Sequence, residues 1–164
     1  MTLREIQRPI KARYVTEPDA AKITLRATGQ TAEGALSCSV DIGRALYAAG
    51  AHPGVGGSGM AACSGDLLLG ALAACAQLTC QMVAENMELD VKIGVTVEGD
   101  LDLRGTLGTP DVPVGFEAIR VRFDLRPARP IEPDRLERLR DRTERYCVVL
   151  QTLLTTPPIA TEWA

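Results

Sequence analysis

The stretch from residue 64 to about residue 86 constrains the fold more than any other part of the chain. It carries Leu67, Leu68, Leu69, Ala71, Leu72, Ala74, Cys75, Leu78, Met82 and Val83, at spacings that a helix gathers onto one broad apolar side. Its only polar stripe is Gln77, Gln81 and Glu85, each four apart. Ser64 suits the N-cap, and Asp66 suits the first turn, where a carboxylate meets the positive end of the helix. With Asp66, Gln77 and Gln81 inside it, the segment reads as a core helix rather than a membrane span. At about 100° per residue, Cys75 lies about 160° from Gln77, on the side read as buried. So apolar a helix leaves one small domain little polar surface to keep wet, and a homodimer that covers it is expected.

The other elements are shorter. Residues 3–14 carry Leu3, Ile6, Ile10 and Tyr14 at helical spacing, interrupted or kinked near Pro9. Residues 22–27 and 35–42 alternate as two strands about a turn at 29–34, which makes a hairpin. Residues 43–50 are short and Ala-rich, and 51–59 form a glycine-rich loop. Strands are expected within 91–103 and 119–125, separated by a loop at 105–115 with Pro110 and Pro113. After a break at 127–133, a helix from Glu132 lines up Leu136, Leu139, Thr143, Cys147, Leu150 and Leu154 until Pro157-Pro158 stops it. Residues 159–163 read as a closing edge strand. The order predicts an α+β fold, an antiparallel sheet laid against helices, in a single domain spanning 1–164 with 1–20 as an N-terminal helical extension.

Composition removes several classes of function. A net charge of -3 gives no footprint for nucleic acid or anionic lipid, and 4% aromatic content argues against a base-stacking surface. The first residues hold no continuous apolar run, so neither a signal peptide nor an anchor is expected and the compartment is read as cytoplasmic. There a lasting structural disulfide is disfavoured and a transient redox one is permitted.

Residues 54–59 match Gly-x-Gly-x-x-Gly literally. The dinucleotide fingerprint needs a parallel βαβ frame that these neighbours do not offer, so the loop reads as a lead-in to the core helix and no cofactor is expected. His52 is the one histidine and reads as a turn residue; no metal site is expected. Asp100 and Asp102 alternate along one strand and read as solvent-facing. The five cysteines, at 38, 63, 75, 80 and 147, fit no zinc or haem template. Cys75 and Cys80 lie about 140° apart on one helix and cannot bridge each other. Cys80 reads as incidental, near the polar edge, while Cys38 and Cys63 default to packing, with reactivity the other reading of Cys63 because a helix N-terminus stabilises a thiolate. Cys75 and Cys147 each fall on an apolar helix face. On the residues alone packing is the simpler role for both, since free Cys is among the most buried residue types. The other reading is a thiol pair in an enclosed apolar site, suited to an apolar oxidant.

The run Cys63-Ser64-Gly65-Asp66-Leu67-Leu68-Leu69-Gly70-Ala71-Leu72-Ala73-Ala74-Cys75 resembles the central-helix signature of the OsmC/Ohr superfamily. Glu144-Arg145-Tyr146-Cys147-Val148-Val149-Leu150-Gln151 is similar to the family's later helix, which carries its second cysteine. The likeness spans roughly residues 23–163. It implies a thiol-dependent peroxidase that reduces organic hydroperoxides, in an intertwined α+β homodimer with active sites at the subunit interface. By matching position Cys75 is the peroxidatic thiol and Cys147 the resolving one, with a dithiol of the lipoyl kind as reductant. The family's Arg in the first hairpin turn and Glu near the start of the central helix have no direct counterpart. Gln30 stands at the turn, and Gly65 then Asp66 at the helix start. Arg26 with Asp66 is the expected substitute, with Arg44 as the other candidate cation. Val148 stands where many members have Pro after the second cysteine. The alternative is a catalytically weak or inactive OsmC-like protein that binds an apolar ligand at the dimer interface, with thiol pKa values at or above that of free Cys.

Overall fold

The computed structural model describes residues 3–22, 24, 28–31, 37–41 and 46–163. Its contacts group into two compact units, residues 1–69 with 98–120, and residues 70–97 with 121–164. Three elements contribute to both: helix α2 (Ser64–Asn86) and strands β4 (Val91–Leu101) and β5 (Phe116–Pro127).

In the first unit, helix α1 (Leu3–Thr16) covers the residues whose periodicity predicts it, and it runs through Pro9 without the interruption expected there. A three-stranded antiparallel sheet follows, in the order β1 (Thr28–Thr31), β2 (Ser37–Asp41), β3 (Leu46–Gly50). A hairpin is there, formed by β1 and β2. Most of the strand expected at 22–27 lies outside the described residues. The segment that pairs, Thr28 to Thr31 against Asp41 to Cys38, takes up the start of what reads as a turn. Two β-branched threonines and a full ladder outweigh the turn signal of Gly29. Strand β3 comes from the Ala-rich stretch that carries no strand pattern. It is held by pairing with β2, from Ser37↔Gly50 to Asp41↔Leu46, and by the Gly50 N–H donating to the Ala62 carbonyl at 3.0 Å.

The glycine-rich loop is built by backbone demands. His52 caps a short 3₁₀ turn (Pro53–Val55), its Nδ1 accepting from the Gly54 N–H at 3.0 Å. Gly56 ends that turn at φ 92°, a left-handed conformation. A Cβ on Gly57 would lie 1.6 Å from the Ala51 carbonyl oxygen, so no other residue fits there. These glycines follow a strand of an antiparallel sheet, which removes the nucleotide-binding frame.

Strand β4 stops at Leu101, two residues earlier than the alternation suggests, because Asp102 turns to cap the short helix α3 (Leu103–Thr106). Its carboxylate accepts from the Arg104 N–H at 2.9 Å. Asp102 therefore leaves the strand, while Asp100 stays on it and pairs with Arg120 at 2.8 Å. Arg104 holds Asp102 at about 2, below the usual carboxylate range.

The second unit holds the core that places the thiols. β4 and β5 pair as a two-stranded sheet. The Ala128 N–H donates to the Asp90 carbonyl at 2.9 Å, and a Cβ on Gly94 would meet that of Asp124. One position rises as its partner falls, so the strands are antiparallel. Cys80, Val83 and Ala84 of α2 and Leu139 of helix α4 (Pro133–Tyr146) form the buried centre, with Met87, Leu89, Val91, Ile93, Phe123 and Leu125 around it. The sequence thus identifies the helix, its bounds and its core role, and misplaces its inner face. The buried positions are Leu72, Ala76, Thr79, Cys80, Val83 and Ala84, while Leu78 is 58% exposed and Met82 is also exposed. Small side chains, not the largest apolar ones, let a second helix approach closely. Gln77 is half-buried and donates from Nε2 to the Ile93 carbonyl at 2.8 Å. By length and composition α2 is apolar enough to cross a membrane, but its inner face is the centre of this core.

The long helix expected from Glu132 to Leu154 is two helices, α4 and α5 (Val148–Leu154), broken at Cys147 in an extended conformation (φ −74°, ψ 101°). Residues 159–163 form no strand, and Ile159 and Trp163 are exposed.

Candidate active site

The site begins with a face of α4. Leu139, Thr143 and Cys147 recur every four residues and are all but fully buried, Cys147 at 0% exposure. Most of the rest of α4 is exposed and charged, with Arg138 bridged to Asp134 at 2.7 Å and Arg140 to Glu144 at 3.1 Å, while Leu136, expected on the inner face, is exposed. Pro133 starts the helix at a position where a missing N–H does no harm.

The break at Cys147 frees backbone donors. In an unbroken helix the Val148 N–H would bond the Glu144 carbonyl. Here the Gln151 side chain takes that carbonyl instead, Nε2 donating to Glu144 O at 2.9 Å. The Cys147 N–H closes α4 on the Thr143 carbonyl at 3.1 Å, and the Cys147 carbonyl opens α5 by accepting from the Gln151 N–H at 2.9 Å. The N–H groups of Val148 and Val149 are left to face the sulfur of Cys75.

Cys75 is half-buried on α2 and Cys147 is fully buried, and both are free thiols. Burial pushes the Cys75 thiol up. Four hydrogen-bond donors then outweigh burial: the Val149 N–H, the Cys147 thiol, the Thr79 hydroxyl and the Val148 N–H together hold Cys75 below the ordinary thiol value. Cys147 moves the other way. Burial pushes it up, and its interaction with Cys75 adds to the rise, while the Leu150 and Val149 N–H groups face its sulfur without forming a capping hydrogen bond. The pair therefore divides into one acidic sulfur and one that keeps its proton.

Asp66 has other partners. It sits in the first turn of α2, where its Oδ2 accepts from the Cys63 N–H at 2.9 Å. Bonds from that N–H and then from the Cys63 thiol hold Asp66 below the usual carboxylate range, against slight burial, and His52 adds a weaker attraction. This is half of a capping box. Cys63, not Ser64, is the cap residue, since its carbonyl accepts the first helical bond, from Leu67 N at 3.1 Å. Arg26 and Arg44, the two expected cations, lie outside the described residues. Cys38 lies in β2. Cys80, read as incidental, is 2% exposed in the core, its thiol pushed up by burial with the Thr143 hydroxyl beside it.

The sequence reading brings out both sulfurs and misses their donors. Thr79 stands one turn after Cys75, off the polar stripe of Gln77, Gln81 and Glu85. The N–H groups of Val148 and Val149 were not legible, because only the helix break releases them.

A family model described as OsmC-like protein matches residues 56–162, a stretch that contains both sulfurs and all four donors. No curated protein sequence matches the chain. Among solved structures, an OsmC-like protein from Mycoplasma pneumoniae superposes with a TM-score of 0.68 at 18% identity, covering 82% of this chain and 90% of that one. An organic hydroperoxide resistance protein OsmC from Legionella pneumophila gives 0.58 at 19% identity, covering 82% and 92%. An organic hydroperoxide resistance protein from Elizabethkingia anophelis gives 0.56 at 15% identity, covering 83% and 91%. These structures share the mixed fold of helices and antiparallel sheet, and with the family match over most of its length this chain belongs to the OsmC-like protein family.

Proposed function

We propose that this protein is a thiol-dependent peroxidase that reduces organic hydroperoxides, with Cys75 as the attacking thiolate and Cys147 as the resolving thiol. One observation carries the reading. The sulfur of Cys75 is held among four donors that lower its pKa, and one of those donors is the second thiol. The inactive alternative predicts thiols at or above the ordinary value, and the direction at Cys75 is opposite to that.

The chemistry follows from the division of the pair. The Cys75 thiolate attacks the distal oxygen of the peroxide; the O–O bond breaks, an S–O bond forms, and the alkoxide leaves. Cys147 is still protonated and adjacent, so it gives that alkoxide its proton and becomes a thiolate itself. It then attacks the Cys75 sulfenic acid, closes the disulfide and expels hydroxide, which water buffers. Two electrons pass from the thiol pair to the peroxide, which ends as alcohol and hydroxide. A dithiol of the lipoyl type resets the pair by exchange. The apolar surroundings favour alkyl over hydrogen peroxide.

The reading includes a single domain in the cytoplasm, with residues 1–20 as its extension, acting as an intertwined homodimer. Exposed Leu78, Met82, Tyr146 and Val148 support a second copy, since a monomer gains nothing by leaving such side chains in water. The test is consumption of cumene or tert-butyl hydroperoxide with a dithiol donor. The wild type turns over and Cys75→Ser does not; undiminished turnover in that variant removes Cys75 as the nucleophile.

A further inference from the structure

Cys147 is a hinge of one residue. Helix α4 ends at Tyr146 and α5 begins at Val148, and Cys147 between them is extended (φ −74°, ψ 101°). The residue pattern does not call for a break: residues 132–154 carry the spacing of one continuous helix, with no Pro or Gly at the hinge. Two donors compete for the Glu144 carbonyl. In a continuous helix it would be taken by the Val148 N–H, four residues on. In the broken form it is taken by the Gln151 side chain, whose Nε2 donates to that oxygen at 2.9 Å. The same residue holds the other side of the hinge, its N–H donating to the Cys147 carbonyl at 2.9 Å. Gln151 therefore grips the chain on both sides of the cysteine. Among the described residues, no other side-chain hydrogen bond runs from α5 to α4.

We propose that Gln151 is the positioning residue of the resolving thiol, its carboxamide holding the α4–α5 elbow in the broken form that fixes Cys147. Without that donor, the Glu144 carbonyl turns to water or recaptures the Val148 N–H. Either outcome changes the backbone at Cys147, the single non-helical residue between the two helices. The task needs a side chain with the length to reach back seven residues and an N–H at its end, and Gln has both. Met has the length and no donor, and an ionised Glu only accepts. Placement matters because two cysteines whose Cα atoms lie more than about 7 Å apart cannot bridge without backbone movement. A loose hinge would leave Cys147 out of reach for part of the time. The role in resolution rests on the peroxidase reading, whereas the grip on the elbow does not, and the two are measured separately.

The experiment alkylates the reduced full-length protein with iodoacetamide across pH and follows each cysteine in its own peptide by mass spectrometry. Cys147 has 0% exposure, so its rate on the high-pH plateau reads how often the elbow opens rather than how acidic the thiol is. Gln151→Met is expected to raise that plateau roughly fivefold, the order of one net hydrogen bond. Cys80, 2% exposed in the core, is expected to react as in the wild type. Thr152→Val removes a bond internal to α5, from Thr152 Oγ1 to the Val148 carbonyl at 2.8 Å, and is expected to leave Cys147 unmoved. A second arm adds one equivalent of tert-butyl hydroperoxide and times the loss of the Cys75 sulfenic acid by trapping with dimedone. In Gln151→Met that acid is expected to persist roughly fivefold longer. If Gln151→Met does not fold, Gln151→Glu reads the same quantities. A Cys147 plateau equal to that of the wild type overturns the proposal, as does an equal rise at Cys80 or in Thr152→Val, or disulfide closure at the wild-type rate. A wild type that the hydroperoxide leaves reduced would instead end the peroxidase reading, and the alkylation arm would still decide whether Gln151 holds the elbow.

Discussion

Cys63 and Cys147 each stand immediately before a helix, α2 and α5, and their neighbourhoods use the same kind of N–H donors to opposite ends. At the start of α2 a carboxylate takes them: Asp66 accepts from the Cys63 N–H, and the Cys63 thiol donates to it as well. At the start of α5 no carboxylate is involved; the Val148 and Val149 N–H groups turn to another thiol, Cys75, and lower it. A helix start therefore does not make a reactive sulfur by itself. It does so when its donors are left for the sulfur, and α5 leaves them because Cys147 breaks the chain from α4 and Gln151 covers the Glu144 carbonyl. The first arrangement builds structure and the second builds chemistry.

Two substitutions separate these roles, the larger effect first. Cys147→Ser is expected to stop cycling altogether while sparing the first oxidation. A single equivalent of tert-butyl hydroperoxide is still consumed, and Cys75 accumulates as sulfenic acid, detected as a dimedone adduct by mass spectrometry. Continued cycling in that variant would assign resolution to another thiol. Asp66→Ala is expected to act on stability alone, lowering the urea midpoint by an amount worth about 1 kcal/mol, the size of a lost helix cap. Because the folded state holds Asp66 below its ordinary value of 3.8, its contribution is complete above that value and is lost as pH falls through the folded one. The Cys75 alkylation profile should not move in Asp66→Ala. A shift there would bring Asp66 into the thiol site and erase the contrast between the two regions.

Much of this was legible in the residues, for identifiable reasons. Helix α2 runs over the expected residues because its apolar content and its polar start are local signals. Both sulfurs stand out because they fall on apolar helix faces, and their partnership came from the resemblance. Long-range terms hid the remainder. Strand β3, made of Leu46, Tyr47, Ala48, Ala49 and Gly50, has no alternation of its own and exists through its ladder with β2. The inner face of α2 follows close packing of Ala76, Thr79, Cys80 and Ala84, so a reading weighted by side-chain hydrophobicity turned the helix towards Leu78 and Met82. The break at Cys147 has no Pro or Gly to announce it. Two β-branched valines after the cysteine weaken the helix only slightly, and the donors gathered at Cys75 stand in for the lost helical bonds. Ile159 to Trp163 looked like an edge strand by composition alone, and a strand needs a partner as well as a pattern.

The central claim is that Cys75 and Cys147 are one redox unit. The most direct test is to treat the reduced protein with one equivalent of tert-butyl hydroperoxide, block the remaining thiols, digest without reductant and map the linked peptides. A single dominant cross-link joining Cys75 to Cys147 is the predicted result. No cross-link, or one that runs through Cys63 or Cys80 instead, would contradict it.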